Sequence, residues 1–147
     1  MNLMYRSYKS IIHAFDPGKL TGYVKYDRKL YRIDKFDILR GYEDIYKILK
    51  QINPFNEMVL FERNVGKMAT EDQYYMCKLV GFIEGICKIK NFTNESNPPM
   101  IRKGFIDISR KYFLKHFKIG TYKKHNIDAF SHVLQYINKE EGIEKFK

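Results

Sequence analysis

Three acids in this chain stand at the ends of elements. Asp16 closes an apolar run, Ile11-Ile12-His13-Ala14-Phe15, and is followed by Pro17-Gly18. Glu62 closes a second run, Met58-Val59-Leu60-Phe61. Asp128 lies in the first turns of an amphipathic segment, three residues after His125, a spacing that puts both on one helix face. In an α/β sheet the carboxyl ends of neighbouring strands open on one crevice, where ligands bind. If the runs ending at Asp16 and Glu62 are neighbours, their carboxylates meet there, and a terminal helix across that edge adds Asp128 and His125. Carboxylates gathered in a basic protein point to divalent metal. Hard cations take oxygen ligands, and two of them about 3.5–4 Å apart can clamp a phosphodiester during in-line displacement. Each acid also has a structural reading. Asp before Pro-Gly is a turn residue, Glu after a strand is solvated, and Asp early in a helix answers its dipole. Position alone leaves the two readings open.

The elements that would carry these residues can be read from periodicity. The first apolar run ends in Asp-Pro-Gly turn chemistry. Leu20 to Asp27 reads as a second strand, Asp27-Arg28-Lys29 as a polar turn, and Leu30 to Ile33 as a third short strand, an antiparallel meander. Phe36, Leu39, Ile45, Ile48, Leu49 and Ile52 recur at helical spacings, which predicts a helix over about 37–52 that Asn53-Pro54 ends. The unbroken run before Glu62 reads as a strand buried on both faces. Thr70 and Gln73 have the spacing of a capping box, opening a largely buried helix in which Gly81 and Gly85 leave room for another element. Residues 91–99 read as a loop, with Met100-Ile101 as a fifth strand after Pro98-Pro99. A basic helix follows over Ile106 to Phe117, then a last one from about Lys123 to Glu140, apolar at Ile127, Phe130, Val133, Leu134 and Ile137. This order is an α/β pattern with a mixed sheet.

Composition narrows the classes. The chain has 147 residues, 44% of them hydrophobic, which suits one domain over 1–147 with a real core. Lys and Arg number 27 against 17 Asp and Glu, a net charge of +10 spread along the chain. A folded domain with that field points to a polyanionic partner, nucleic acid first. Cys77 and Cys87 are the only cysteines and, ten residues apart in one helix, point in different directions; neither a disulfide framework nor a structural zinc site is expected, and a reducing cytoplasm is. No stretch approaches the roughly 18 apolar residues of a membrane span, and Met1 to Ser10 lacks the apolar core of a secretory signal.

Three segments together resemble the RuvC-type Holliday junction resolvases of the RNase H-like superfamily, most of all their small phage and viral members. Ile11 to Tyr23, with Asp16-Pro17-Gly18 and then Thr21-Gly22, is similar to the family's opening strand and hairpin. Leu60-Phe61-Glu62-Arg63 is similar to its buried strand ending in glutamate, and His125-Asn126-Ile127-Asp128-Ala129 to its terminal helix motif, D/H-x-x-D-A. The chain departs from bacterial members in a shorter hairpin, in Phe15, and in having Val65 and then Met68 where some place an aromatic residue.

The resemblance implies an RNase H-like fold with a mixed five-stranded sheet and flanking helices. It implies that Asp16, Glu62, Asp128 and, in the fourth position, His125 hold two Mg²⁺ or Mn²⁺ ions, with Asp16 between them. It further implies a homodimer that makes paired nicks in four-way DNA junctions. His125 either ligates a metal or orients the attacking water. Arg102, Lys103, Arg110, Lys111 and Lys115, with Lys118, Lys123 and Lys124, are the candidate phosphate contacts, and Tyr74 and Tyr75 candidates for stacking on bases. His13, His116 and His132 read as packing or surface residues without acid partners. Three other functions fit the same residues: the same nuclease chemistry on other branched DNA (forks, flaps and three-way branches), a non-catalytic module that binds branched DNA, and an RNase H acting on RNA–DNA hybrids.

Overall fold

The computed structural model describes residues 9–63, 70–97 and 103–141. Five strands form one mixed sheet: β1 (Ile11–Asp16), β2 (Thr21–Asp27), β3 (Arg32–Leu39), β4 (Glu57–Glu62) and β5 (Thr93–Asn97), in the order β3-β2-β1-β4-β5. Four helices flank it: α1 (Gly41–Leu49), α2 (Glu71–Lys90), α3 (Lys103–His116) and α4 (Lys124–Glu141). The first three strands are an antiparallel meander, and β4 and β5 run parallel to β1. The sheet separates two cores. Ile12, Ala14, Val24, Met58 and Leu60 face α3 and α4, with Phe113 and Phe130 filling the layer between. Phe15, Tyr23, Val59 and Phe61 face α1 and α2, with Ile45, Leu49, Leu79 and Ile83.

Turn chemistry fixes the hairpins. The Thr21 hydroxyl donates to the Gly18 carbonyl at 3.1 Å and closes the Asp-Pro-Gly turn. At the next turn Asp27 Oδ1 accepts the backbone N–H groups of Lys29 and Leu30, at 2.9 and 3.0 Å. Thus β3 begins at Arg32, after Tyr31 in the left-handed region (φ 54°). It also runs on to Leu39, so the predicted helix start at about 37 is wrong. The cause is a bulge. Tyr26 pairs with Ile33 but Lys25 with Lys35, leaving Asp34 as an extra residue. Ile33 and Phe36 thereby face the same core three residues apart, a spacing that imitates a helix.

The buried strand before Glu62 is as expected, covered on both faces. So is the start of α2, where Thr70 Oγ1 accepts from the Gln73 N–H at 3.2 Å. Two readings of its surroundings fail. Only one face of α2 is buried, leaving Tyr74 exposed, and a Cβ on Gly81 or Gly85 would meet no described atom within 4 Å. The fifth strand is Thr93–Asn97, inside the predicted loop; Met100-Ile101 lies outside the described residues. As an edge strand its backbone pairs with β4 while the polar side chains of Thr93 to Ser96 stay in water, so no apolar pattern marks it. Helix α3 starts three residues before the predicted Ile106, and α4 matches its prediction to a residue at each end.

Candidate metal centre

Asp16 and Glu62 are the last residues of β1 and β4, which are adjacent and parallel, with Phe15 opposite Phe61. Their carboxylates therefore emerge side by side at the carboxyl edge of the sheet. Helix α4 lies across β1 and β2, and three devices set its start. The Asn126 side chain accepts from the Lys123 N–H at 2.9 Å and donates to the carbonyls of Tyr23 (3.3 Å) and Asp37 (2.8 Å), tying the first turn to β2 and β3. Ser109 of α3 donates to the Ile127 carbonyl at 2.7 Å. Gly22 lets the helix touch the sheet: a Cβ there would sit 2.0 Å from the His125 carbonyl oxygen. At the far end the buried Arg28 pairs with Glu141.

Replacing Asn126 with alanine removes the side-chain donor to the Tyr23 and Asp37 carbonyls and unties the first turn of α4 from the sheet. The expected loss is about 1–3 kcal/mol of stability. Thermal unfolding checks it, and a loss under about 0.5 kcal/mol, the range of a neutral surface change, would mean the stitch holds nothing.

The result is two overlapping groups of ligating atoms. In one, Asp16, Glu62 and His132 each offer an atom within 4.8 Å of the others; in the second, Asp16, His125 and Asp128 do the same. Asp16 belongs to both. His125 Nδ1 lies 3.8 Å from Asp16 Oδ2, with the imidazole 41% exposed and the carboxylate 13%. The four candidate residues thus converge, and a fifth joins them. His132 is wholly buried, and its Nε2 faces Glu62 Oε2 at 3.3 Å. The reading of His132 as a packing or surface residue missed that contact. The signal was available: positions 125, 128 and 132 share one helix face. His13 likewise has an acid partner, since it bonds Glu57 on one side and the Tyr23 hydroxyl on the other, under α1 and α2. His116 is exposed and stacks near Tyr112.

Electrostatics mark this crevice as a place for cations. Burial, the hydrogen bond to Glu62 and the charges of Glu62 and Asp128 push the Asp16 carboxyl up to about 9, against the opposing pull of Lys124. Burial also raises Asp128, with Lys124, His125 and His132 opposing. Burial pushes Glu62 up too, but hydrogen bonds with His132 and Asp16 outweigh it and leave the carboxyl below its ordinary value. Without a cation, the buried acids hold a proton between them. An all-oxygen and imidazole donor set of this kind fits divalent metal.

Among the basic candidates, Arg110, Lys111 and Lys115 line the solvent side of α3, while Ser109 and Phe113 on its other side are buried. Arg110 also approaches Asp107 at 3.5 Å. Arg102, Val65 and Met68 lie outside the described residues, as does the side chain of Lys103. Lys124 is the cation whose charge reaches the acids.

No protein-family model matches the chain, and no curated protein is significantly similar in sequence. Solved structures are similar in shape. Thermus thermophilus RuvC in complex with a Holliday junction substrate superposes with a TM-score of 0.66 at 13% identity, covering 90% of this chain and 96% of that one. The fowlpox virus Holliday junction resolvase superposes at 0.60 with 17% identity, over 88% and 99%. Its complex with substrate junction DNA gives 0.59 at 15%, over 87% and 99%. The fold is that of the RuvC-type resolvases. In this RNase H-like architecture the mixed five-stranded sheet and flanking helices bring Asp16, Glu62, His125 and Asp128 to one edge. The Asp-Pro-Gly hairpin, the strand to Glu62 and the helix from His125 each have a place in that arrangement.

Proposed function

We propose that the chain is a metal-dependent endonuclease that resolves four-way DNA junctions by paired nicks. The observation that carries this reading is Asp16, shared by two ligand groups at the carboxyl ends of adjacent parallel strands, in the fold of junction resolvases. Asp16, Glu62, His125 and Asp128 would hold Mg²⁺ or Mn²⁺. When bound, such ions would supply Lewis-acid stabilisation of phosphoryl oxygens and lower the pKa of a water so that it loses a proton and becomes a nucleophile.

The chain's own residues do the rest. Burial keeps Asp16 and Glu62 in place and largely out of water. His125, at the exposed rim of the group, would complete with Asp128 the outer half of the centre. The net charge of +10 attracts the DNA strand, and lysines on α3 and at the start of α4 position its phosphates without reading bases. Paired nicks need two such centres, so the proposal includes a homodimer. No helix among the described residues is long and apolar enough to cross a membrane.

The test is cleavage of four-way, Y-shaped and linear duplex DNA, with divalent metal and with chelator. Nicking of the four-way junction alone, abolished by chelator, is the expected result. Binding without nicking in either Mg²⁺ or Mn²⁺ would leave a binding module, and preferential cutting of an RNA–DNA hybrid would make the protein an RNase H. Replacing Lys111 and Lys115 with alanine should flatten the salt dependence of junction binding by about 1.8 log–log units if each meets a phosphate. An unchanged slope would remove both from the interface.

A further inference from the structure

We propose that His132 is itself a ligand of the cation held by Asp16 and Glu62, so that each half of the centre carries one imidazole and accepts Mn²⁺ in preference to Mg²⁺. This rests on the nuclease reading above and deepens it by assigning a fifth ligand and a metal selectivity.

The geometry carries the assignment. His132 lies one turn beyond Asp128 on α4 and is wholly buried between Ser131 and Val133, themselves buried. Its Nε2 stands 3.3 Å from Glu62 Oε2. A charge-assisted N–H···O bond closes to about 2.7–2.9 Å. Two ligands of one cation, with bonds of about 2.1 Å, stand about 3.0 Å apart at octahedral and about 3.4 Å apart at tetrahedral angles. The observed 3.3 Å is longer than a charge-assisted hydrogen bond and within a few tenths of an ångström of the spacing of two adjacent ligands on one ion. Asp16 offers an oxygen to this group and also to the group with His125 and Asp128. Both groups therefore mix carboxylate and imidazole. Mg²⁺ keeps to oxygen and water, whereas first-row transition ions accept imidazole nitrogen. The alternative is that His132 only holds the Glu62 carboxylate by a hydrogen bond, in which case its nitrogen never meets the metal.

Pulsed EPR of Mn²⁺ bound to the full-length protein separates the two, because a ligating imidazole couples its ¹⁴N to the electron spin. The half-exposed His125 is first replaced, His125→Asn, so that any remaining coupling comes from the buried residue without disturbing the core. Coupling that persists in this variant, and shifts to the ¹⁵N pattern when histidine is labelled, is the expected result. Adding His132→Gln should remove it. By calorimetry, His132→Gln alone should weaken Mn²⁺ binding about 10–100-fold, the scale of losing a group that builds a metal site, and leave Mg²⁺ binding within about threefold. Absence of nitrogen coupling in His125→Asn, or equal losses for the two ions in His132→Gln, overturns the assignment. Nicking assays on the unsubstituted protein keep the failures apart: nicking by the parent with no coupling in His125→Asn sinks only the role of His132, and a parent that binds Mn²⁺ but never nicks sinks the nuclease reading.

Discussion

Asp16→Asn is expected to stop junction nicking while making the metal-free protein more stable. Asp16 is the one residue common to both ligand groups, so its carboxylate cannot be spared from either. The loss is expected to reach at least about a thousandfold, since removing a shared ligand forfeits several kcal/mol of charge stabilisation. Stability moves the other way. The Asp16 carboxyl is held up to about 9 in the folded chain, by burial first and then by Glu62, against an ordinary 3.8. Its native state thus binds a proton that the unfolded chain has released. The contribution to stability is fully present below the unfolded value and is lost as pH rises toward 9. Asparagine keeps the shape and never ionises. Melting temperatures of the two metal-free proteins should coincide near pH 4 and diverge up to pH 9, with the variant higher. Parallel curves would show that the acid is not strained, and residual nicking near the parent rate would remove it from the centre. The same linkage makes metal loading of the parent protein at pH 7 release a proton, seen as a buffer-dependent binding enthalpy.

Gly22→Ala should be nearly as damaging without touching an acid. The added methyl would lie 2.0 Å from the His125 carbonyl oxygen and 2.4 Å from its carbon. Both are backbone atoms of a helix that cannot rotate away, so α4 must lift from β2. Overpacking of this kind costs about 1–3 kcal/mol. The larger effect is on chemistry, because His125 and Asp128 ride on the lifted turn while Asp16 and Glu62 stay on the sheet. A displacement near 1 Å at a reacting group costs about a hundredfold in rate. Nicking should fall by about that factor in a protein that still shows native circular dichroism and still binds junction DNA. Full nicking with a native fold would mean that the first turn of α4 contributes nothing to catalysis.

Much of this arrangement was legible without coordinates. Asp16 and Glu62 each end a strand and Asp128 lies in the first turns of α4, and the apolar patterns beside them are long enough to read. The Thr70–Gln73 cap and the apolar stripe of α4 are local patterns, and the structure repeats them closely. The misreadings share a cause. The bulge at Asp34 shifts the side-chain alternation of β3 by one residue and so imitates a helix. Strand β5 forms through backbone pairing at an edge, where its side chains need no pattern.

Residue type and local periodicity are properties of neighbours along the chain, so they reveal the kind of ligand and the elements that hold it. Which of those residues meet is a matter of long-range packing. Parallel pairing of β1 with β4 joins Asp16 to Glu62 across 46 positions. The contact at Gly22 seats the helix that carries His125 and Asp128, and burial turns His132 toward Glu62. Burial is also what lifts the Asp16 carboxyl. These are long-range contacts, set by how whole elements pack, and a single side chain's identity does not reveal which distant group it will face.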